Sequence, residues 1–129
     1  MTIDLWTAVA AVVLALAQLG LASGFAKGVT GRAWSVGPRD HPIELTGLAG
    51  RLERAFRNLI ETFPLFVALV VIAHVAGKAN LWTAVGAQVY FWSRVLYVPA
   101  YASGIPRLRT AIWQIGMIGL VVILVQLFR

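Results

Sequence analysis

Four stretches long and apolar enough to be membrane helices constrain this chain more than any other feature. About 20 predominantly apolar residues in helix cross the hydrocarbon core of a bilayer. Leu5 to Phe25 is broken only by Thr7, Gln18, Ser23 and small residues. Leu65 to Ala76 carries no formal charge and continues a polar helical lead-in from Arg51. Leu81 to Ala102 and Arg107 to Phe128 complete the set. The expected helices cover about 4–26, 48–76, 81–102 and 107–128. Composition agrees: the 129 residues are 60% hydrophobic and 12% charged, with mean hydropathy +0.81. A soluble domain is near half apolar and about a quarter charged. The chain reads as all-α, a multi-pass integral membrane four-helix bundle forming a single domain over 1–129.

The ends of the first span raise one competing reading. Ala22-Ser-Gly24 resembles the small-residue site where a secretory leader is cut, but the preceding segment holds Asp4 and no Lys or Arg. A leader needs a basic start, so a retained helix is expected. Gly28, Gly31, Gly37, Pro38, Pro42 and Gly47 mark 27–50 as a water-facing loop. Thr46 is placed to cap the second helix. Gly77-Lys-Ala-Asn80 and Ser103-Gly-Ile-Pro106 are tight turns. Pro64 and Pro99 lie inside helices, where each removes a backbone hydrogen bond.

The net charge of +6 raises nucleic acid as a partner. The basic residues flank apolar spans instead, which is a topology signal, and no nucleic acid is expected. Lys27, Arg32, Arg39, Arg51, Arg54 and Arg57 gather around the first loop, and Arg107 and Arg109 at the last turn. Lys78 and Arg129 lie on the other side. Positive residues stay cytoplasmic, so both termini are expected outside.

Two polar stripes enter this apolar setting. Arg51, Arg54, Asn58 and Glu61 recur at helical spacing on one face of the second helix. Tyr90, Arg94, Tyr97 and Tyr101 do the same on the third. Arg94 lies two turns inside its span, roughly 12 Å from the basic end. An arginine at that depth calls for a carboxylate or an anion. A purely structural arrangement pairs Glu61 with Arg94 and sets Glu53, Arg57 and Glu61 in an i, i+4 ladder. It leaves Arg51, Arg54, Asn58 and two tyrosines without a role, and that cationic surplus favours an anionic ligand. Arg107 and Arg109 either anchor the fourth helix or place a guanidinium over a thiol. A neighbouring cation favours the thiolate, the reactive form, and arginine keeps its own proton while doing so. The chain has no cysteine, so the sulfur must come from a ligand. His41 and His74 are far apart in sequence without ligand-spaced neighbours, and no metal is expected. Met117, Gly116 and Gly119 suit helix packing.

Arg54-Ala-Phe-Arg-Asn-Leu-Ile-Glu-Thr-Phe-Pro-Leu-Phe66 resembles the second-helix signature of the membrane-associated proteins in eicosanoid and glutathione metabolism, the MAPEG family. Arg94-Val-Leu-Tyr-Val-Pro-Ala-Tyr101, followed by Gly104-Ile-Pro-Arg-Leu-Arg-Thr110, is similar to the helix 3–4 signature of its bacterial members, as is Gly37-Pro-Arg-Asp40 in the first loop. The resemblance implies a homotrimer of four-helix subunits in membrane lipid, in the bacterial inner membrane, with glutathione bound between subunits near the cytoplasmic side. It implies that Arg54, Asn58 and Glu61 hold glutathione from one subunit, with Arg51 beside them on the same stripe as a further binding candidate, and Arg94, Tyr97 and Tyr101 from a neighbour. The thiol-activating arginine matches Arg109, with Arg107 as the alternate, and Lys27 or Arg32 contributes from the first helix. Phe56 stands where many members carry His or Gln, and Thr62 where some carry Tyr. Both remove polar contacts to the peptide.

Three functions follow. A glutathione transferase or peroxidase would turn the thiolate on a small apolar electrophile or lipid hydroperoxide. A proton-coupled transporter would use Glu61 as its membrane carboxylate, though nearby arginines would hold it ionised. A non-catalytic binder would seat an anionic lipid in the same basic pocket.

Overall fold

The computed structural model describes residues 1–129. Four long helices and one short one account for it: α1 (Ile3–Thr30), α2 (Arg32–Val36), α3 (Gly47–Val75), α4 (Leu81–Ala102) and α5 (Pro106–Leu127). The bundle is all-α, and α1, α3 and α5 are long and apolar enough to cross a membrane. This is an integral membrane protein. The 22-residue α4 has a comparable length but carries the polar stripe with Arg94.

Local chemistry sets most boundaries. Asn80 caps α4: its side chain accepts from the Trp82 and Thr83 amides, at 2.8 and 3.2 Å. The Thr83 hydroxyl accepts from the Asn80 amide at 2.9 Å. This reciprocal box satisfies donors a helix start leaves bare. Pro106 opens α5, where its missing N–H costs nothing. Gly104, at φ 77°, makes the preceding turn.

The segment after the first span departs from the expected loop. α1 continues through Gly28 to Thr30, and Arg32–Val36 forms a further turn of helix. Glycine weakens a helix by only about 1 kcal/mol relative to alanine, and Gly28 does not stop α1. The connection then folds back on itself, with Trp34 Nε1 donating to the His41 carbonyl at 2.6 Å. The Arg39 guanidinium donates to the Ser35 carbonyl and lies over the Trp34 ring. Thr46 occupies the N-cap of α3 as expected, but its side chain makes no capping bond.

α3 runs antiparallel to α1 and to α4, and the closest packing joins α4 to α5. Gly86 on α4 faces Gly119 on α5; a Cβ on Gly119 would lie 2.6 Å from the Gly86 carbonyl oxygen. The core between helices centres on Phe66 and Tyr90, whose rings stack at 4.4 Å. The Tyr90 hydroxyl, which cannot face water there, bonds Thr62 Oγ1 at 2.9 Å.

The two ends of the bundle differ in chemistry. At the end with the N-terminus, α1 delivers the buried Asp4 to His74 of α3, at 3.0 Å. The Thr83 hydroxyl donates to Asp4 Oδ2 at 3.1 Å, and the Thr2 hydroxyl donates to Oδ1. The other end holds the basic residues and the candidate site.

Candidate functional site

At the basic end, α3 and α4 meet through arginines. Arg51 Nη1 donates to the Ala102 carbonyl at 3.0 Å. Arg54 Nε donates to the Tyr101 hydroxyl at 3.0 Å. Arg109, two residues into α5 beyond Arg107, brings its guanidinium carbon 4.7 Å from the Tyr101 ring centroid. The Arg54 guanidinium lies 5.8 Å from the same ring. Tyr101 therefore gathers cations from two other helices. A tyrosine ring tolerates this because its face carries partial negative charge.

The two candidate thiol-activating arginines separate here. Arg109 is half-buried against Tyr101, whereas Arg107 is exposed. Helix geometry explains the difference: residues two apart point about 200° from each other around the axis. Lys27 and Arg32 are both exposed at the end of α1 and in α2.

Deeper in the bundle, Arg94 and Tyr97 are enclosed by their own subunit, at 1% and 3% exposure. The Arg94 guanidinium stacks on the Tyr97 ring at 4.4 Å, and none of its three nitrogens has a hydrogen-bond partner. Asn58 is half-buried with its Oδ1 enclosed and unpaired. Glu61 is exposed on α3 and makes no ion pair. The anticipated Glu61–Arg94 pair is therefore not formed within the subunit. Of the expected carboxylate ladder one rung exists, Arg57 to Glu53 at 2.9 Å.

Sequence reasoning passed over Gln18. It is 5% exposed on α1, and both polar atoms of its carboxamide lack partners. Its one signal was a lone carboxamide in an otherwise apolar run. Beside the site, α1, the α2 connection and α3 enclose a cleft of about 540 Å3. Leu19, Ala22 and Phe56 line its apolar part, and Arg39, Arg54 and Arg57 line its polar part together with the carboxylates of Glu44 and Glu53. No group of three or more His, Cys, Asp or Glu side chains gathers to hold a metal.

The family model that matches this arrangement spans residues 5–129. The chain belongs to the MAPEG family. Membership places it among membrane-associated proteins of glutathione and eicosanoid metabolism. No curated protein matches the chain. For this MAPEG chain the family match reaches every stretch that builds the basic end: α3 with Arg51 and Arg54, α4 with Arg94, Tyr97 and Tyr101, and α5 with Arg109.

Proposed function

We propose that this MAPEG protein is a glutathione-dependent transferase or peroxidase, working as a homotrimer with its basic end in the bacterial cytoplasm and both termini outside. The observation that carries the reading is the convergence of Arg54 and Arg109 on Tyr101. The exposed Arg54 and the half-buried Arg109 make a positive mouth beside one half-buried ring. In such a place a thiolate gains more than it does in water.

In this reading Arg51, Arg54 and Asn58 bind the peptide's polar groups, and the exposed Glu61 takes its amine at the boundary with a neighbouring subunit. Tyr101 completes the binding set at the mouth, while Arg94 and Tyr97, which the resemblance also assigns to glutathione, lie enclosed behind it in their own subunit. Arg109 holds the cysteinyl sulfur as thiolate, with its proton lost to water. A small apolar electrophile arrives from the bilayer, where partitioning concentrates it. The sulfur forms a bond to the electrophilic carbon, and the displaced electron pair leaves with the leaving group or is protonated. With a lipid hydroperoxide, the sulfur takes the distal oxygen and the alcohol departs. A second glutathione then reduces the sulfenic acid, giving glutathione disulfide and water.

The test is to mix glutathione with the detergent-solubilised protein and record the ultraviolet absorbance of the thiolate. A saturable rise is expected. No rise, together with no thermal protection by glutathione, overturns the reading.

A second reading has one observation in its favour. The cleft between α1 and α3 joins apolar walls to Arg39 and Arg54, beside Glu44 and the Arg57–Glu53 pair, and its small cationic excess is what an anionic lipid would use. A lipid retained through purification and not displaced by glutathione would select it.

A further inference from the structure

The cleft beneath the α1–α3 connection reaches from the basic end into the bundle. On its α1 side it is lined by Leu19, Ala22, Ser23, Ala26 and Thr30, and their spacing puts them on one face of the helix. From Leu19 to Thr30 that face runs roughly 16 Å. The volume of about 540 Å3 lies within the usual range for small-molecule sites, and over such a length it makes a slender space. Across from Ala22 stands Phe56 of α3. The two helices are antiparallel, so Arg54, two residues before Phe56, is level with about Gly24. On the membrane side of that level the apolar walls are Leu19, Ala22 and Phe56. On the water side stand Trp34, Arg39 and Glu44 of the connection. The connection is a firm roof, since Trp34 Nε1 donates to the His41 carbonyl and the Arg39 guanidinium covers the Trp34 ring.

Arg54 belongs to two spaces at once. It lines the cleft, and its Nε donates to the Tyr101 hydroxyl beside Arg109 at the thiolate mouth. A molecule lying along α1 therefore brings the part beside Arg54 to the edge of that mouth. The charges of the cleft limit what such a molecule carries. Arg57 is paired with Glu53. Arg39 is held by the Ser35 carbonyl and the Trp34 ring, and Glu44 shares its rim. The excess cation, Arg54, already serves the peptide in the glutathione reading. A head group without charge is the better match, and the apolar walls favour a hydrocarbon tail.

We propose that this cleft seats the second substrate, an uncharged electrophile with one slender apolar tail, of the class of medium-chain α,β-unsaturated aldehydes. The tail lies along Leu19, Ala22 and Phe56, and the polar, reactive end sits beside Arg54. This rests on the glutathione reading and adds to it the class of electrophile and the residues that select it. In the reaction the glutathione sulfur forms a bond to the β-carbon. The electron pair of the carbon–carbon double bond moves toward the carbonyl oxygen, and a proton from water completes the saturated aldehyde. Leu19 sets how deep a tail goes, and Phe56 sets how much room it finds there.

The test uses the full chain in detergent with saturating glutathione and a series of α,β-unsaturated aldehydes from pentenal to dodecenal. Loss of the conjugated absorbance gives kcat and KM for each. In the wild type kcat/KM is expected to peak at one tail length. Leu19→Trp adds bulk at the inner end of the cleft, at a side chain 45% exposed that can grow without displacing the core. It should move the peak about two carbons shorter. Phe56→Ala opens the same end and should move the peak to longer tails. Partitioning into detergent is common to all three proteins and cancels in the comparison. The thiolate absorbance of bound glutathione should be unchanged in both variants. An unmoved peak in Leu19→Trp overturns the proposal, and so does thiolate formation without turnover of any aldehyde in the series. The glutathione reading survives either result. Phosphatidylglycerol in mixed micelles tests the other occupant. Competitive inhibition by it that Leu19→Trp abolishes would make the cleft a lipid seat and overturn the proposal. Absence of thiolate absorbance removes the glutathione reading itself, and the proposal falls with it.

Discussion

Arg54 on α3 donates its Nε–H to the hydroxyl of Tyr101 on α4 across 3.0 Å, and Arg109 of α5 lies over the same ring. One tyrosine thus ties three helices together at the basic end. Tyr101→Phe keeps the ring and removes the hydroxyl that positions Arg54. A hydrogen bond to a charged group is worth ~1.5–3 kcal/mol, so glutathione affinity is expected to fall about tenfold or somewhat more. Isothermal titration of the purified variant checks this. Unchanged affinity would mean that Arg54 needs no help from Tyr101.

The two arginines at the start of α5 should behave differently. Arg109→Met is expected to abolish the thiolate absorbance of bound glutathione, because the removed cation accounts for about one pKa unit or more of thiol acidity. Arg107→Met should retain it, since Arg107 is exposed to solvent. The reverse result would move the activating role two residues back along the chain, to Arg107.

Close backbone approach makes a packing prediction. A Cβ on Gly119 would fall 2.6 Å from the Gly86 carbonyl oxygen and 2.8 Å from the Tyr90 amide. Gly119→Ala must push α4 and α5 apart, at a cost of ~1–3 kcal/mol. Gly24→Ala meets open space and serves as the control. Thermal unfolding in detergent should separate the two, with a clear drop for the first variant and little change for the second.

The far end gives a stability change without a functional one. His74→Ala leaves the buried Asp4 with only its hydroxyl and backbone partners. Removing one hydrogen-bond partner of a buried carboxylate costs ~1.5–3 kcal/mol, toward the lower figure here because His74 is partly exposed. The midpoint should drop while glutathione affinity stays within about twofold. The two ends of a 28-residue α1 are ~40 Å apart. A large loss of affinity would reveal coupling along the bundle.

The number, order and approximate limits of the long helices were legible because bilayer length and apolar runs leave few alternatives. The turn at Gly77–Asn80 and the stop at Gly104–Pro106 were legible for the same local reasons. The connection was less so. Its glycines suggested irregular chain from residue 27, yet α1 runs to Thr30 and Arg32–Val36 is helical. One glycine costs a helix only about 1 kcal/mol relative to alanine, too little to end α1 at Gly28. At the site, periodicity placed Arg51, Arg54, Asn58 and Glu61 on one stripe of α3, and the structure splits that stripe. Arg54 and Glu61 look outward, while Arg51 and Asn58 are partly enclosed.

By itself the sequence determined a membrane bundle with a basic end and two polar stripes, because hydropathy and helical period are local properties that every residue reports. Only the tertiary structure decided which polar atoms meet. It enclosed Arg94 in the bundle without a direct ion pair to Glu61, brought Asp4 to His74, and chose Arg109 over Arg107 as the neighbour of Tyr101. Those outcomes depend on how each helix is rotated about its axis. That rotation is fixed by the close glycine contacts of α4 with α5 and by the Phe66–Tyr90 stack, which join residues distant in the chain.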